Sequence, residues 1–562
     1  MHRFLKKRRR EYQAIEPDEI LIDAANLPAF DTARLEGKIE RPISPKTFRG
    51  FSGIVLFLAI VLVGQLVNLQ ILRYSAFAVR AEANSLSQTT IIADRGLLTD
   101  RNGVLLAGNV AEAEPGLATR VYPLGAAAAN LIGYVSYPKR DQNGYWYQDA
   151  TEGVAGVEAA ENDALAGRNG IRIIETDASG ESVSGSIVRE PRTGSDIRLS
   201  IDAELQKELY AEIRTRSEGS GWRGGTGVIM DARTGELLAV ASYPSFDPEV
   251  MSSGDPTEEV ERLRADSRSP FLDRAVSGLY TPGSVVKPFV AVAALESHTI
   301  SPEKQILSTG SISVPNPYDA AHPFVFKDWR AHGLVDMRHA IAVSSDVYFY
   351  EVGGGFEDQP GLGISAIERY MRMFGFGDMT GVPLIGEETG TIPDPEWKAN
   401  NFAGEPWFLG DTYHTAIGQY GFRVTAMQLA RAVAAIANGG TLVTPVTKAG
   451  EHGVSTQIPV LDGNLEVVRE GMRLSVTEGI AQALAIPGVA VAAKTGTAEV
   501  GARNEFTNSL VEGFFPYDNP RYAFAVVMER APSGTREGAP AIMGRVLSWL
   551  VENRYDMITT PN

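Results

Sequence analysis

Apolar and polar residues recur along this chain with three different periods, and the changes of period mark its parts. From Gly50 to Leu72, GFSGIVLFLAIVLVGQLVNLQIL carries no charge and lies between Arg49 and Arg73. At about 1.5 Å per residue it would extend roughly 34 Å as a helix, enough to cross the hydrocarbon core of a bilayer. From Arg73 to about Arg192 the pattern breaks into short alternating runs rich in glycine. In ADRGLLTDRNGVLLAGN two strand-like pieces meet at Arg101-Asn102-Gly103, where Asn-Gly accepts the positive φ of a tight turn. GVAGVEAAENDALAG reads as a helix between such pieces.

A different pattern starts near Asp196. Asp202 can cap a helix that carries Leu205, Leu209 and Ile213 on one face, and TGVIMDARTGELLAVASYP then alternates like a hairpin turning at Arg233-Thr234-Gly235. Strand signals return only in VAVAAKTGTAEV, NSLVEGFFPY and RYAFAVVMER, before a closing helix around Ile542 to Val551. The stretch between is mainly helical. Strands at both ends with helices between them predict an α+β domain: one antiparallel sheet assembled from both ends, with helices on its faces.

Charge and composition narrow the setting. HRFLKKRRR, with Arg41, Lys46 and Arg49, puts basic residues ahead of the apolar run, which favours a cytoplasmic N-terminus and an exported remainder. Ala76-Phe77-Ala78 resembles a signal-peptide cleavage site, but the apolar run is too long and too far from the N-terminus for that reading. The net charge of −17 argues against a nucleic-acid binder, which needs a basic footprint. With no cysteine, disulfides, thiol catalysis and cysteine-ligated metals are excluded.

Candidate chemistry begins at GLYTPGSVVKPFVAVAALE. Ser284 and Lys287 stand at i and i+3 where a helix starts, so hydroxyl and amine share a face, at a terminus whose N–H groups can meet an anion. The spacing alone is weak, because Ser301-Pro302-Glu303-Lys304 repeats it. Two further clusters strengthen it. Ser344 and Asp346 interrupt an apolar helical stretch in AIAVSSDVYFYEVG, where buried polar groups need partners. Lys494-Thr495-Gly496-Thr497 falls in a strand, where a glycine is usually justified by close approach of a ligand or another backbone. The order S-x-x-K, S-x-D, K-T-G matches the motif set of penicillin-binding proteins and class A β-lactamases, with aspartate where asparagine is commoner.

On these motifs, and on RGLLTDRNGVLLA, SYPSFDP, GDTYHTAIGQYGFRVTAMQLARA and KTGTAEV, the chain resembles the class B penicillin-binding proteins, and their elongation branch in the aspartate of the middle motif. The resemblance implies a cytoplasmic tail (1–49), a single transmembrane helix (50–72), a non-catalytic pedestal of dimerisation type (73–192) and a transpeptidase domain with a five-stranded antiparallel sheet (193–556). It implies D,D-transpeptidation of peptidoglycan stem peptides during elongation, through a serine acyl-enzyme open to β-lactams. Ser284 would be the nucleophile and Lys287 its base, neutral at the moment of attack. Ser344 would pass a proton to the leaving amine, and Lys494, Thr495, Gly496 and Thr497 would hold the donor's terminal carboxylate. Asp346 joins Lys287 and Lys494 in one coupled set of charges. The N–H groups of Ser284 and Thr497 would form the oxyanion hole.

No cofactor or metal is implied. A zinc site reported in some relatives includes a cysteine that this chain lacks, and Asp328, His332 and Asp336 read as satisfied loop residues. His414 reads as a loop histidine, while Gln419 and Thr425 fall in a stretch resembling the family's cleft. The implied partners are the lipid-linked precursor, a polytopic glycosyltransferase of the shape, elongation, division and sporulation family, and an elongation scaffold protein at the inner membrane. The same chemistry serves a β-lactamase or carboxypeptidase, and a penicillin sensor. The anchor and pedestal favour the transpeptidase.

Overall fold

A computed structural model describes residues 44–78, 86–111, 117–142, 146–176, 182–316, 319, 321–501 and 503–558. Two compact units are distinguished. In the first, helix α1 (Pro45–Val67) is capped by Ser44, whose Oγ accepts the Thr47 N–H at 3.2 Å, and a π-helical turn, Asn68–Leu72, extends it. Among the described residues Pro45–Leu72 is the one helix long and apolar enough to cross a membrane. The basic cluster at residues 2–10 lies outside the described residues.

The second unit is built on the expected sheet. Strands β1 (Gly224–Asp231), β2 (Leu237–Tyr243), β3 (Ala492–Val500), β4 (Phe506–Phe515) and β5 (Tyr522–Pro532) run in the order β2-β1-β5-β4-β3, antiparallel throughout. The hairpin turns where the sequence predicts, with Gly235 at φ +83°. Alternation sends one set of side chains to each face. On one face Ile229, Val511 and Phe524 meet Leu205, Leu209 and Ile213 of α2 (Ala203–Ser220) and Ile542, Val546 and Leu550 of the closing helix. Each fully buried side chain of this kind contributes about 1.5–3 kcal/mol.

The opposite face carries the chemistry. It is covered by α3 (Lys287–Glu296), α4 (Met337–Val343), α5 (Asp346–Gly354), α6 (Leu409–Ala416), α7 (Ala426–Ala437) and α8 (Asp462–Thr477); the closing helix is α9 (Ala539–Asn553). Helix α3 is apolar almost all round and buried almost all round, as a helix enclosed on every side must be.

Ahead of the sheet, strands Leu98–Thr99, Leu105–Ala111 and Ala118–Val121 join Ile197–Arg198 in a four-stranded sheet, turning at Gly103 with φ +87°. The helix expected in GVAGVEAAENDALAG is two short ones, Gly156–Ala160 and Asn162–Leu165, interrupted at Glu161. The first carries Glu158, fully buried, whose carboxylate binds Arg95 Nε at 2.5 Å and Arg120 Nε at 2.8 Å. Asp202 caps α2 by accepting the Leu205 N–H, and the same carboxylate accepts from Asn102 Nδ2 and pairs with Arg554. One side chain thus ties this sheet and the chain's last helices to α2.

Removing one member of a buried charge cluster leaves the others unpaired, which typically costs about 3–5 kcal/mol. Glu158→Ala is therefore expected to lower unfolding free energy by about that amount in urea titration, whereas Glu259→Ala, at the surface beside Arg262, is expected to leave it nearly unchanged.

Candidate active site

Three chain segments meet at β3, the edge strand of the sheet. The first is a 3₁₀ turn, Gly283–Val286, which delivers Ser284 and runs directly into α3 with Lys287 and Pro288 in its first turn. A proline is tolerated there because the first N–H groups of a helix have no internal acceptor. The turn presses on β3. A Cβ added at Gly496 would stand 2.6 Å from Pro282 O, and one added at Gly283 would stand 2.8 Å from Thr497 O. The glycine of K-T-G is therefore explained by another backbone lying against it. From the far side, Gly418 at φ +75° closes on the same turn, accepting the Gly283 N–H at 3.0 Å, and its own Cβ would reach within 2.2 Å of Gly283 O.

The second segment is the break between α4 and α5. Ser344 ends α4 in the left-handed region, φ 57°, a conformation costly for a residue with a Cβ and concentrated at functional sites. Ser345 caps α5, and Asp346 is that helix's first residue. The apolar stretch is thus two helices with the motif at their junction, where backbone and side chains can turn toward β3.

The third segment, β3, supplies Lys494. Both lysines are wholly buried and both reach Ser344. Lys287 Nζ donates to Ser344 O (2.8 Å), Ser344 Oγ (3.2 Å) and Asp346 Oδ1 (2.6 Å). Lys494 Nζ donates to Ser344 Oγ (2.8 Å) and Thr495 O (2.8 Å). The i, i+3 spacing predicts contact between Ser284 and Lys287. Among the described residues no hydrogen bond joins them; Lys287 Nζ is engaged instead by Ser344 and Asp346. Burial, reinforced by the neighbouring charge of Lys287, holds Lys494 well below the ordinary lysine range, against the pull of Asp346 and Glu512.

Asp328 braces the second segment. Its Oδ2 accepts from Ser345 Oγ (2.8 Å), Val347 N (3.0 Å) and Ser308 Oγ (3.2 Å), and Oδ1 accepts from Trp329 N (2.8 Å). Burial pushes this carboxyl up, but the hydrogen bonds from Val347, Ser345 and Asp346 and the charge of Lys287 outweigh it and leave it below the usual range. His332 Nε2 lies 3.4 Å from Asp328 Oδ1, and Asp336 instead caps α4 and pairs with exposed His339. Among the described residues there is no group of three His, Cys, Asp or Glu that could hold a metal. Ser301 and Lys304, the rival pair, sit in a surface turn.

The other residues singled out in the sequence fall around this centre. His414 is in helix α6 rather than a loop, and its burial lowers its pKa while Asp411 and Asp346 pull it back up. Thr425 caps α7 in a reciprocal box with Gln428, a packing role, and Gln419 lies in the turn behind Gly418. Ser284, Ser344, Asp346, Thr495 and Thr497 line a cleft of about 760 Å³ whose outer wall adds Trp329, Trp222 and Arg536. Those wall residues carry no local signal, since they belong to three separate stretches of chain.

A hydroxyl at the head of a buried helix, two buried lysines sharing one serine, and a sheet edge beside them form the layout of a serine acyl-transfer enzyme. A family model described as penicillin binding protein transpeptidase domain matches residues 225–548, and one described as penicillin-binding protein dimerisation domain matches residues 115–199. The chain is 29% identical to the peptidoglycan D,D-transpeptidase MrdA of Acinetobacter baumannii, covering 91% of this chain and 88% of that protein. The solved structure of Pseudomonas aeruginosa PBP2 in complex with WCK 5153 is 30% identical with a TM-score of 0.69, covering 83% of this chain and 97% of that one. A complex between PBP2 and MreC from Helicobacter pylori gives 26% identity and a TM-score of 0.69 over 84% and 99%. The chain belongs to the penicillin-binding protein transpeptidase family, and within it is a class B protein resembling penicillin-binding protein 2.

Replacing Asp328 by alanine orphans Ser345 Oγ and Val347 N–H in a buried setting, at about 1–3 kcal/mol for each. Asp328→Ala is expected to melt lower and to react more slowly with a fluorescent penicillin. The carboxylate's contribution is complete above its unfolded pKa of about 3.9 and is lost as pH falls through the lower folded value, so melting curves of the two proteins converge only in strong acid.

Proposed function

We propose that Ser284 is the acylated nucleophile of a peptidoglycan D,D-transpeptidase, with Lys287, Ser344, Asp346 and Lys494 as its proton and charge machinery. The observation that carries this is the single hydroxyl of Ser344 receiving both buried lysines beside the nucleophile's turn. Ser284 Oγ attacks the carbonyl of the donor's penultimate D-alanine while Lys287, freed of one proton, accepts the hydroxyl proton. For that step Lys287 must release a contact it makes to Ser344 or Asp346 and turn to Ser284. Ser344, between the lysines, delivers a proton to the departing D-alanine amine. The acyl-enzyme is then attacked by the amine of a second stem peptide, which forms the cross-link and restores Ser284.

Lys494, Thr495 and Thr497 hold the donor's terminal carboxylate on the edge of β3, and Gly496 lets the Ser284 turn approach that edge. The backbone N–H groups of Ser284 and Thr497 receive the developing oxyanion, where the loss of one donor typically costs about 3–4 kcal/mol. β-Lactams present the same carboxylate and a strained amide to the same groups. They acylate Ser284 and stay.

The chain is anchored to a membrane by one helix. In our reading residues 1–49 are cytoplasmic, 50–72 cross the inner membrane, 73–192 form a pedestal, and 193–556 form the periplasmic catalytic domain. The work is that of cell elongation, on precursor polymerised by a membrane glycosyltransferase of the shape, elongation, division and sporulation family. The PBP2 of Helicobacter pylori is solved in complex with MreC, and a scaffold of that kind is the partner proposed for the pedestal.

Intact-mass analysis and peptide mapping after penicillin treatment are expected to find one adduct, on Ser284, persisting for many minutes. Ser284→Ala is expected to abolish it and Ser301→Ala to leave it intact. Release within seconds would favour a hydrolase.

A further inference from the structure

Glu512 is a buried acid that the mechanism above does not use. It lies on β4 directly opposite Lys494 on β3 in the antiparallel register, so both side chains rise from the same face of the sheet. It is wholly buried, and among the described residues neither carboxyl oxygen has a hydrogen-bond partner. An apolar residue would pack there without stranding two polar atoms. Among the described residues no charged side chain on this face besides Lys494 acts on Glu512. Leu510 and Phe514 flank Glu512 on β4, Ala525 opposes it on β5, and the buried side chains of α7 are apolar apart from Gln428, which is committed to Asp378 O and Thr389 O. From α8, which packs on β3, Arg473 is bound to Val491 O. Lys287 and Asp346 stand beyond Ser344. Lys494 is the charge that reaches Glu512.

Resting on the transpeptidase reading, we propose that Glu512 is a positioning residue for acylation, exchanging one proton with Lys494 so that Lys494 is cationic while the donor's carboxylate occupies the cleft. With the cleft empty, two neutral groups face each other: burial drives Glu512 far above the carboxylate range and Lys494 far below the lysine range. When the carboxylate arrives at Thr495 and Thr497, the Glu512 O–H bond breaks and a Lys494 N–H bond forms. The net charge of the pair does not change. Opposed side chains start about 4.5–5.5 Å apart at Cβ, so rotamer motion brings amine and acid together for the transfer. The new cation grips the donor. Through Ser344 it also repels a second cation on Lys287, favouring the neutral amine that attack on the donor requires.

The test is the pH profile of the second-order rate of penicillin acylation in wild type and Glu512→Gln, with melting temperatures measured alongside. Glutamine keeps the shape but has no proton to give, so Lys494 must draw its proton from solvent. The expected result is a loss of about tenfold or more at neutral pH, the effect of one pKa unit, widening as pH rises and narrowing as it falls. Parallel profiles of equal height would overturn the proposal. In parallel, infrared difference spectra of the Ser284→Ala chain, with Glu512 intact, are recorded on adding a D-alanyl-D-alanine peptide. Loss of a protonated-carboxyl stretch is expected, and an unchanged band sinks the proposal even if the glutamine variant folds poorly. A wild-type chain that penicillin never labels at Ser284 would remove the functional reading, and this inference with it.

Discussion

The site depends on two lysine side chains being held, wholly out of water, on one serine hydroxyl. Two like charges cannot both persist at such a place without a large electrostatic penalty, so the fold compels at least one lysine to give up its proton. A lysine in water is a cation and no base at neutral pH. Here Lys287 is wholly buried and lies 2.6 Å from the carboxylate of Asp346.

Much of the rest can be understood as holding that arrangement under strain. Ser344 keeps a left-handed backbone because α4 ends and α5 begins on either side of it, and because Asp328 fixes the start of α5 through Ser345 and Val347. Gly283, Gly418 and Gly496 let three backbones converge with almost no side chain between them. Farther out, the carboxylates of Asp202 and Glu158 fasten the preceding segment by charge, alongside the apolar packing of Leu98, Leu106, Leu131 and Val157.

What the sequence discloses follows from what is local. The motifs were legible because each packs its chemistry into a few consecutive residues, and the sheet was legible because strand signals cluster at both ends of the domain, although its central strands are buried on both faces. The partners were not legible. Spacing on a helix places Ser284 beside Lys287, but Ser344, arriving from 57 residues away, takes that lysine's protons instead. Asp328 could be noticed only as one acid near a histidine, since its true role is set by a loop folding back on the residues it caps. Glu512 left one faint sign, an acid on the apolar phase of NSLVEGFF, and its meaning appears only when the register puts Lys494 across from it. His414 reads in the sequence as a loop histidine, because S-x-x-K already supplies acid and base, and the structure places it in α6.

The position of β3 at the margin of the sheet bears on how selective this protein can be. As an edge strand it has a sheet partner on one side only, and main-chain pairing along such an edge is indifferent to most side chains. Discrimination must then come from the guest's end group and handedness. A change that spoils this margin for an antibiotic spoils it for the natural peptide as well, which leaves the walls around Trp222, Trp329 and Arg536 as the part of the cleft where an inhibitor and a substrate can differ in outline.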